Sequence, residues 1–313
     1  MKRIEVRSAG LLTTVQDLGR EGYGPLGVSP SGAADPVSLR LGNRLVGNPE
    51  NSPALEMTLL GGAFLFPEGA LFTLTGSDFG ATLDSAPQPC WVSAQARPGQ
   101  LLRVGPTQSG ARCYLCMQGG ISVDPFLGSA STLLLSGLGG HQGRALKRGD
   151  VLFLGDATAP FEKKSVSSAA LHRLTPGKTI RVTPGPQADS FPASARKLFY
   201  DSTYRLAEDS NRMGLRLEGP AIPQQSAGEM ISEGVSLGAV QIAAGGQPII
   251  LFVEQQTTGG YAKIANVISA DMHSLGQLRP RDEIRFELVD WETARKLLLE
   301  QEALLSSTDL LQG

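Results

Sequence analysis

Five short segments combine backbone-permissive glycine with hydroxyl, amide or carboxylate side chains. They are Thr13-Thr-Val-Gln-Asp-Leu-Gly-Arg20, Gly27-Val-Ser-Pro-Ser-Gly-Ala-Ala-Asp35, Thr75-Gly-Ser-Asp78, Asp209-Ser-Asn-Arg-Met-Gly214 and Glu254-Gln-Gln-Thr-Thr-Gly-Gly-Tyr261. Such segments suit a small polar ligand, because glycine admits it to main-chain N–H groups while hydroxyls and amides orient it. The same residues also build ordinary turns, so each segment carries both readings. Asp17 and Arg20, three apart beside Gly19, either hold an ionic substrate or pair structurally. Glu56 falls on the strand face opposite Leu55, Met57 and Leu59. It is a candidate base if that face lines a barrel or cleft, and a solvated group if it meets water. Asp78 follows the apolar run Leu71–Thr75 and either presents a carboxylate at a barrel mouth or closes an Asx-turn. Gln256, Thr257, Thr258, Gly259, Gly260 and Tyr261 follow an apolar strand and suit a phosphate or carboxylate.

Other chemistries are excluded or disfavoured. No Gly-x4-Gly-Lys-Ser/Thr loop and no Gly-x-Ser-x-Gly elbow occurs. His141, His172 and His273 do not cluster, so no metal site is expected. Cys113 and Cys116 lack a second cysteine pair and, in an apolar run, read as core thiols; with Cys90 they make three cysteines that cannot all pair, which suits a reducing compartment. The balance of 28 Lys+Arg against 30 Asp+Glu argues against a general nucleic-acid binder. No window of ~18 apolar residues suggests a membrane span, and the N-terminus lacks an apolar core of signal-peptide length. A soluble cytoplasmic protein is the expectation.

Short strands must position these segments. With 313 residues the chain is long enough for two domains, and its 38 glycines and 20 prolines imply many turns. Apolar runs at Leu11–Val15, Ala54–Leu60, Leu71–Thr75, Arg112–Met117, Val151–Leu154, Thr179–Thr183, Val235–Ile242, Pro248–Val253 and Glu283–Val289 read as strands of barrels or sandwiches. Helices are few. Asp35-Pro36 starts one that Gly47 and Pro49 stop, a short one is read over Phe191 to Tyr200, and a long one from Asp290 carries a stripe that includes Trp291 and Leu305. The polar tail Ser306 to Gly313 is expected to fray. Gly143–Phe153 echoes Gly276–Phe286, which predicts two related β-domains, 1–165 and 166–313, meeting near the polar stretch 157–175.

The motifs also carry a resemblance. Gly10 to Tyr23, Gly27 to Asp35, Asn43 to Glu50, Ala54-Leu-Glu56, Thr75 to Asp78, Gly185-Pro-Gln-Ala-Asp189, Asn211 to Gly214 and Gln256 to Tyr261 are similar to those of the biotin-dependent carboxyltransferase, or allophanate hydrolase subunit 2, family. The chain departs from that pattern at Asn211, at Glu254 and Gln255, and at Pro280-Arg281-Asp282, where Pro-Gly-Asp is common. The resemblance implies two cyclophilin-like β-barrel domains and the ATP-dependent opening of 5-oxoproline to glutamate, performed with subunits A and B of 5-oxoprolinase. It implies ATP as co-substrate, with Mg²⁺. On it, Asp17, Glu56 and Asp78 orient a proton or Mg²⁺, Arg20 or Arg212 neutralises an oxyanion, and Gln256 to Gly260 contact phosphate or substrate carboxylate. Two alternatives accompany it: carboxyl transfer from biotin to urea or a similar amide, and non-catalytic binding to a kinase-inhibiting homologue of the 5-oxoprolinase B component.

Overall fold

The computed structural model describes residues 2–156, 162–224 and 230–313; residues 157–161 of the polar stretch lie outside the described residues. The chain is mainly β, with five α-helices among the described residues: α1 (Pro36–Leu45), α2 (Ser168–Arg173), α3 (Ala193–Asp201), α4 (Met272–Gly276) and α5 (Trp291–Ser306). It forms two compact units. The first takes Met1–Arg20, Ser31–Leu174 and Leu304–Gly313, and the second Glu21–Pro30 and Thr175–Ala303. Relative to a simple division after residue 165, three segments, 21–30, 166–174 and 304–313, thus change sides.

In the first unit a five-stranded sheet runs in the order Leu12–Gln16, Ala54–Thr58, Arg112–Met117, Ala70–Gly76, Ser93–Ala96. A seven-stranded sheet contains Arg3–Ser8, flanked by Val151–Leu154 and Ala63–Phe66. Phe64, Phe66, Phe72, Leu74, Leu102 and Leu115 are among the side chains of their shared core. The helix α1 forms where its signals stand: the Asp35 carboxylate accepts from the Ser38 N–H at 2.9 Å, and Pro36 occupies the first turn. Its Val37, Leu41 and Leu45 pack with Leu305 and Leu310, while Leu39 joins Tyr114 and Cys116. Gly42 lets the helix sit close to the sheet, since a Cβ there would meet Cys116 Sγ at 2.5 Å and Thr75 Oγ1 at 2.8 Å.

The second unit is a closed seven-stranded barrel. Its ends join through a parallel pair, Thr179–Pro184 against Glu283–Leu288, in a ladder otherwise antiparallel. Phe199 of α3 stacks on Phe286 of the barrel with ring centroids 4.5 Å apart. A two-stranded ribbon pairs Glu233–Gly234 with Thr258–Gly259.

Two expectations are corrected. The C-terminal tail is not frayed: Leu311–Gln312 pairs with Ser165–Val166, and Leu310 is 1% exposed. Trp291 does not join the inward stripe of α5 but stands 66% exposed, and Leu305 is the buried residue of that helix. The internal echo is structural, with a register one residue shorter than the sequence reading. Lys147 N–H donates to the Asp150 carboxylate at 2.9 Å, as Arg279 N–H does to Asp282 at 2.8 Å. In each turn the residue before the aspartate has positive φ, Gly149 at 93° and Arg281 at 72°. In both turns the aspartate carbonyl then accepts from an earlier strand of the same unit, Asp150 O from Val6 N and Asp282 O from Leu206 N. Arg281 therefore stands where glycine relaxes the backbone, and its guanidinium bonds Glu208.

Leu310→Ala should cost about 2–5 kcal/mol in chemical denaturation, as expected for a buried leucine truncated beside a helix it covers. A loss below ~1 kcal/mol would show that the tail is dispensable to the first unit. Arg144 grips Asp150 through two hydrogen bonds at 2.7 and 2.9 Å, and that grip holds its carboxyl down at about 2. An unfolded aspartate titrates near ~3.9. The resulting stability is complete above that value and is lost as pH falls toward 2. Denaturation midpoints between about pH 5 and 2 should fall less steeply for Asp150→Asn than for the native chain.

Candidate functional site

In the first unit a row of polar side chains crosses the five-stranded sheet in register: Thr14, Glu56, Tyr114 and Thr75. All four are buried. The start of α1 lies over this row. Ala34 N–H donates to Glu56 Oε2 at 2.8 Å, the Tyr114 hydroxyl donates to the same oxygen at 2.7 Å, and Asp35 N–H donates to that hydroxyl at 2.8 Å. Arg112 lies 3.6 Å from the other oxygen, Oε1. Burial, then the neighbouring Glu56 charge, pushes the Tyr114 phenol well above its ordinary value, so it stays a donor. The Glu56 face meets neither water nor a cleft. It meets a helix.

Asp17 is similarly occupied by the chain. Its Oδ1 accepts from Gly19 N, Ser129 Oγ and Ser131 Oγ, and its Oδ2 from Ala130 N at 2.7 Å. Arg20 closes on the same loop, donating to Ser131 O and to Phe126 O at 3.2 Å, with its guanidinium 5.5 Å from the Phe126 ring centre. Asp17 and Arg20 thus clamp one segment, 126–131. Asp78 is exposed and accepts from Gly80 N–H at 2.7 Å, which is an Asx-turn. The thiols match the core reading: Cys113 and Cys116 are buried. A contact with Cys90 and then burial push the Cys113 thiol up, and burial does so for Cys116.

The second unit holds a cavity of about 1150 Å³ whose wall includes Gln187, Phe191, Ile222, Gln224, Gln256 and Tyr261. Gly260 also lines it. Of the residues expected at a site, Gln256, Gly260 and Tyr261 therefore meet at one wall. Thr258 and Gly259 form the ribbon strand beside it, and Thr257 O accepts from Val235 N at 3.2 Å. The base of this segment is anchored: the Ser29 hydroxyl donates to Gln255 O, and Arg212 pairs with Glu254 at 2.5 Å, both buried. Asn211 folds its side chain back onto Met213 N–H at 2.8 Å. Sequence reasoning missed Lys263, Glu233 and Gln241. Lys263 Nζ is buried and lies 2.6 Å from Glu233 Oε1. Gln241, paired with Lys263 across the barrel strands, is buried, and its Nε2 has no hydrogen-bond partner among the described residues. A polar residue in each of two largely apolar stretches, Gln241 in Ala239–Ile242 and Lys263 at the head of Lys263–Val267, is the available signal.

Chemically, the cavity lining combines amide, hydroxyl and phenol groups with apolar side chains, which suits a small planar polar molecule. Among the described residues that line it none is charged. Among the described residues no group of three or more His, Cys, Asp or Glu side chains is placed to hold a metal ion. No described helix is long and apolar enough to cross a membrane.

Comparison with known proteins adds a family. Residues 26–288 match the family model described as carboxyltransferase domain, subdomain A and B. The C subunit of 5-oxoprolinase from Escherichia coli (strain K12) is 39% identical over 96% of this chain and 95% of its own. The urea amidolyase of Lachancea kluyveri is 35% identical over 97% of this chain but 18% of its own. The crystal structure of the K. lactis urea amidolyase superposes with a TM-score of 0.92 at 34% identity, covering 99% of this chain and 21% of that one. The chain thus spans about a fifth of the urea amidolyases and nearly all of the E. coli protein.

Glu56→Ala should destabilise the chain by about 3–5 kcal/mol, because it leaves a buried arginine and two N–H or O–H donors without their acceptor. Urea denaturation of the purified chain measures this; a loss under ~1 kcal/mol would release Glu56 from a structural role.

Proposed function

This chain belongs to the carboxyltransferase domain family, subdomains A and B, and we propose that it serves as the C subunit of an ATP-dependent 5-oxoprolinase. With subunits A and B it opens the lactam of 5-oxoproline to give L-glutamate. The observation that carries this reading is coextension: the E. coli relative, named as the C subunit of 5-oxoprolinase, matches this chain almost end to end.

The chemistry explains the cavity. An unstrained lactam is a poor electrophile. Transfer of the ATP γ-phosphoryl group to its oxygen, with ADP leaving, makes the carbon electrophilic. Water then adds, the C–N bond breaks as the ring nitrogen takes up a proton, and a second water releases phosphate from the resulting acyl phosphate to leave glutamate. The protein must then hold the amide plane, fix its oxygen and keep stray water away. Gln256 and Tyr261 at the wall orient the amide, and Phe191 and Ile222 supply the apolar side. Because the described lining carries no charge, we assign the triphosphate and its Mg²⁺ to groups elsewhere in the assembled complex. Asp17, Arg20 and Glu56 act as scaffold for the first unit, and Arg212 with Glu254 anchors the Gln256 to Tyr261 segment.

A second reading has its own support in the 0.92 TM-score to the urea amidolyase. The biotin ureido ring and urea are also planar amides, so the same wall would serve carboxyl transfer between them. Reconstitution separates the two. The chain mixed with subunits A and B should release glutamate from 5-oxoproline only when all three proteins and ATP are present. Turnover of urea with a biotinylated carrier, and none of 5-oxoproline, would replace the first reading by the second.

A further inference from the structure

Lys263 is buried, with 3% of its side chain exposed, yet the carboxylate that neutralises it belongs to a side chain 45% exposed, Glu233. Gln187 Nε2 donates to the same carboxylate oxygen at 2.8 Å. Gln187 is itself held in place: its Oε1 accepts from Lys263 N–H at 3.1 Å, and its own N–H donates to Lys263 O at 3.2 Å. The Lys263 ammonium also donates to Tyr261 O at 3.4 Å. Gln187 and Tyr261 both line the 1150 Å³ cavity. A buried ammonium and a fixed amide N–H therefore converge on one carboxylate oxygen at the cavity margin, and that oxygen comes from a surface residue.

The imbalance has a physical consequence. A buried ammonium needs a counter-charge, and removing its partner without replacement is strongly unfavourable. Exchanging one carboxylate for another keeps Lys263 neutralised and returns Glu233 to water. The exchange is thus selective for anions and weakly opposed. It is also coupled to the loop, because Glu233 faces Gly259 across the ribbon, beside the Gln256 to Tyr261 segment.

We propose that Lys263 and Gln187 form a carboxylate subsite at the cavity margin, for a small molecule bearing both an amide and a carboxylate, and that Glu233 is its built-in stand-in, displaced when ligand binds. The assignment rests on the proposed function for the amide's place in the same cavity. The subsite itself makes its own demand, that an anionic ligand be preferred to its neutral analogue.

Calorimetric titration of the full chain with 5-oxoproline, with its neutral carboxamide and with cyclopentanecarboxylate tests it. The native chain should prefer 5-oxoproline over the carboxamide by about tenfold or more, the scale of a hydrogen-bonded charge contact. Lys263→Met should erase that preference. Glu233→Gln leaves the Lys263 ammonium without its carboxylate until an anion arrives; with its native fold verified by circular dichroism, it should tighten 5-oxoproline and cyclopentanecarboxylate binding severalfold while leaving the carboxamide unchanged. Equal binding of acid and carboxamide by the native chain, no carboxylate binding by either the native chain or Glu233→Gln, or unchanged acid binding in Glu233→Gln overturns the subsite. If the reconstituted complex releases no glutamate but Glu233→Gln still tightens cyclopentanecarboxylate, the enzymatic reading falls and the subsite stands. If the complex is active and Glu233→Gln leaves its KM for 5-oxoproline unaltered, the subsite falls alone.

Discussion

A carboxylate placed under a helix must be answered by donors, and the first unit is arranged so that Glu56 is. Its Oε2 receives the Ala34 N–H, from the segment leading into α1, and the hydroxyl of Tyr114, with Arg112 on the far side. Water could not do this work, since the residue is 1% exposed. The helix in turn covers Tyr114 and Cys116 with Leu39, and offers Val37, Leu41 and Leu45 to Leu305 and Leu310. The Glu56 contact joins the Asp35 N–H bond to Tyr114, the Thr75 hydroxyl bond to Ser38 O and the Leu39 packing in fixing α1 over that row of the sheet. The negative charge near the helix N-terminus is also well placed against the helix dipole.

How much of the structure is legible in the residues depends on how local the deciding forces are. The start of α1 was legible because cap, proline and apolar spacing lie within a dozen positions. The strand Arg112–Met117 was legible from its run Cys-Tyr-Leu-Cys-Met, and every residue of it is buried. The tail was misread because Ser306 to Gly313 looks solvated until Ser165–Val166 pairs with it from far upstream. Asp17 and Glu56 were visible as residue types suited to chemistry, but their occupation is decided by donors from residues 129–131 and 34, which no spacing rule connects to them. The Gln256 to Tyr261 segment was found because glycine, amide and hydroxyl are contiguous there. Lys263 escaped notice, since an isolated lysine in a strand reads as surface until the barrel closes over it.

The repeated turn is the clearest link between the two units. Each aspartate captures the N–H three residues before it, each is preceded by a positive φ, and each feeds a strand that pairs with an early strand of its own unit. The echo was read one residue out of register because Gly149 and Arg281 look unlike. Backbone conformation equates them. This is the sort of equivalence that side-chain identity conceals, and it accounts for the strain accepted at Arg281.

The membership of the first unit has a bearing on how the chain is made. Its sheets come from the first half of the sequence, yet Leu304–Gly313 supply Leu305 and Leu310 to the cluster around α1 and a strand to Ser165–Val166. On the ribosome, the second unit emerges whole before the first can finish. The nascent first unit must wait, with an apolar face of α1 uncovered, through the synthesis of well over a hundred residues, which at ~5–20 residues per second is an interval of many seconds. That interval leaves the face of α1 open to wrong partners, and the arrival of Leu304–Gly313 closes it.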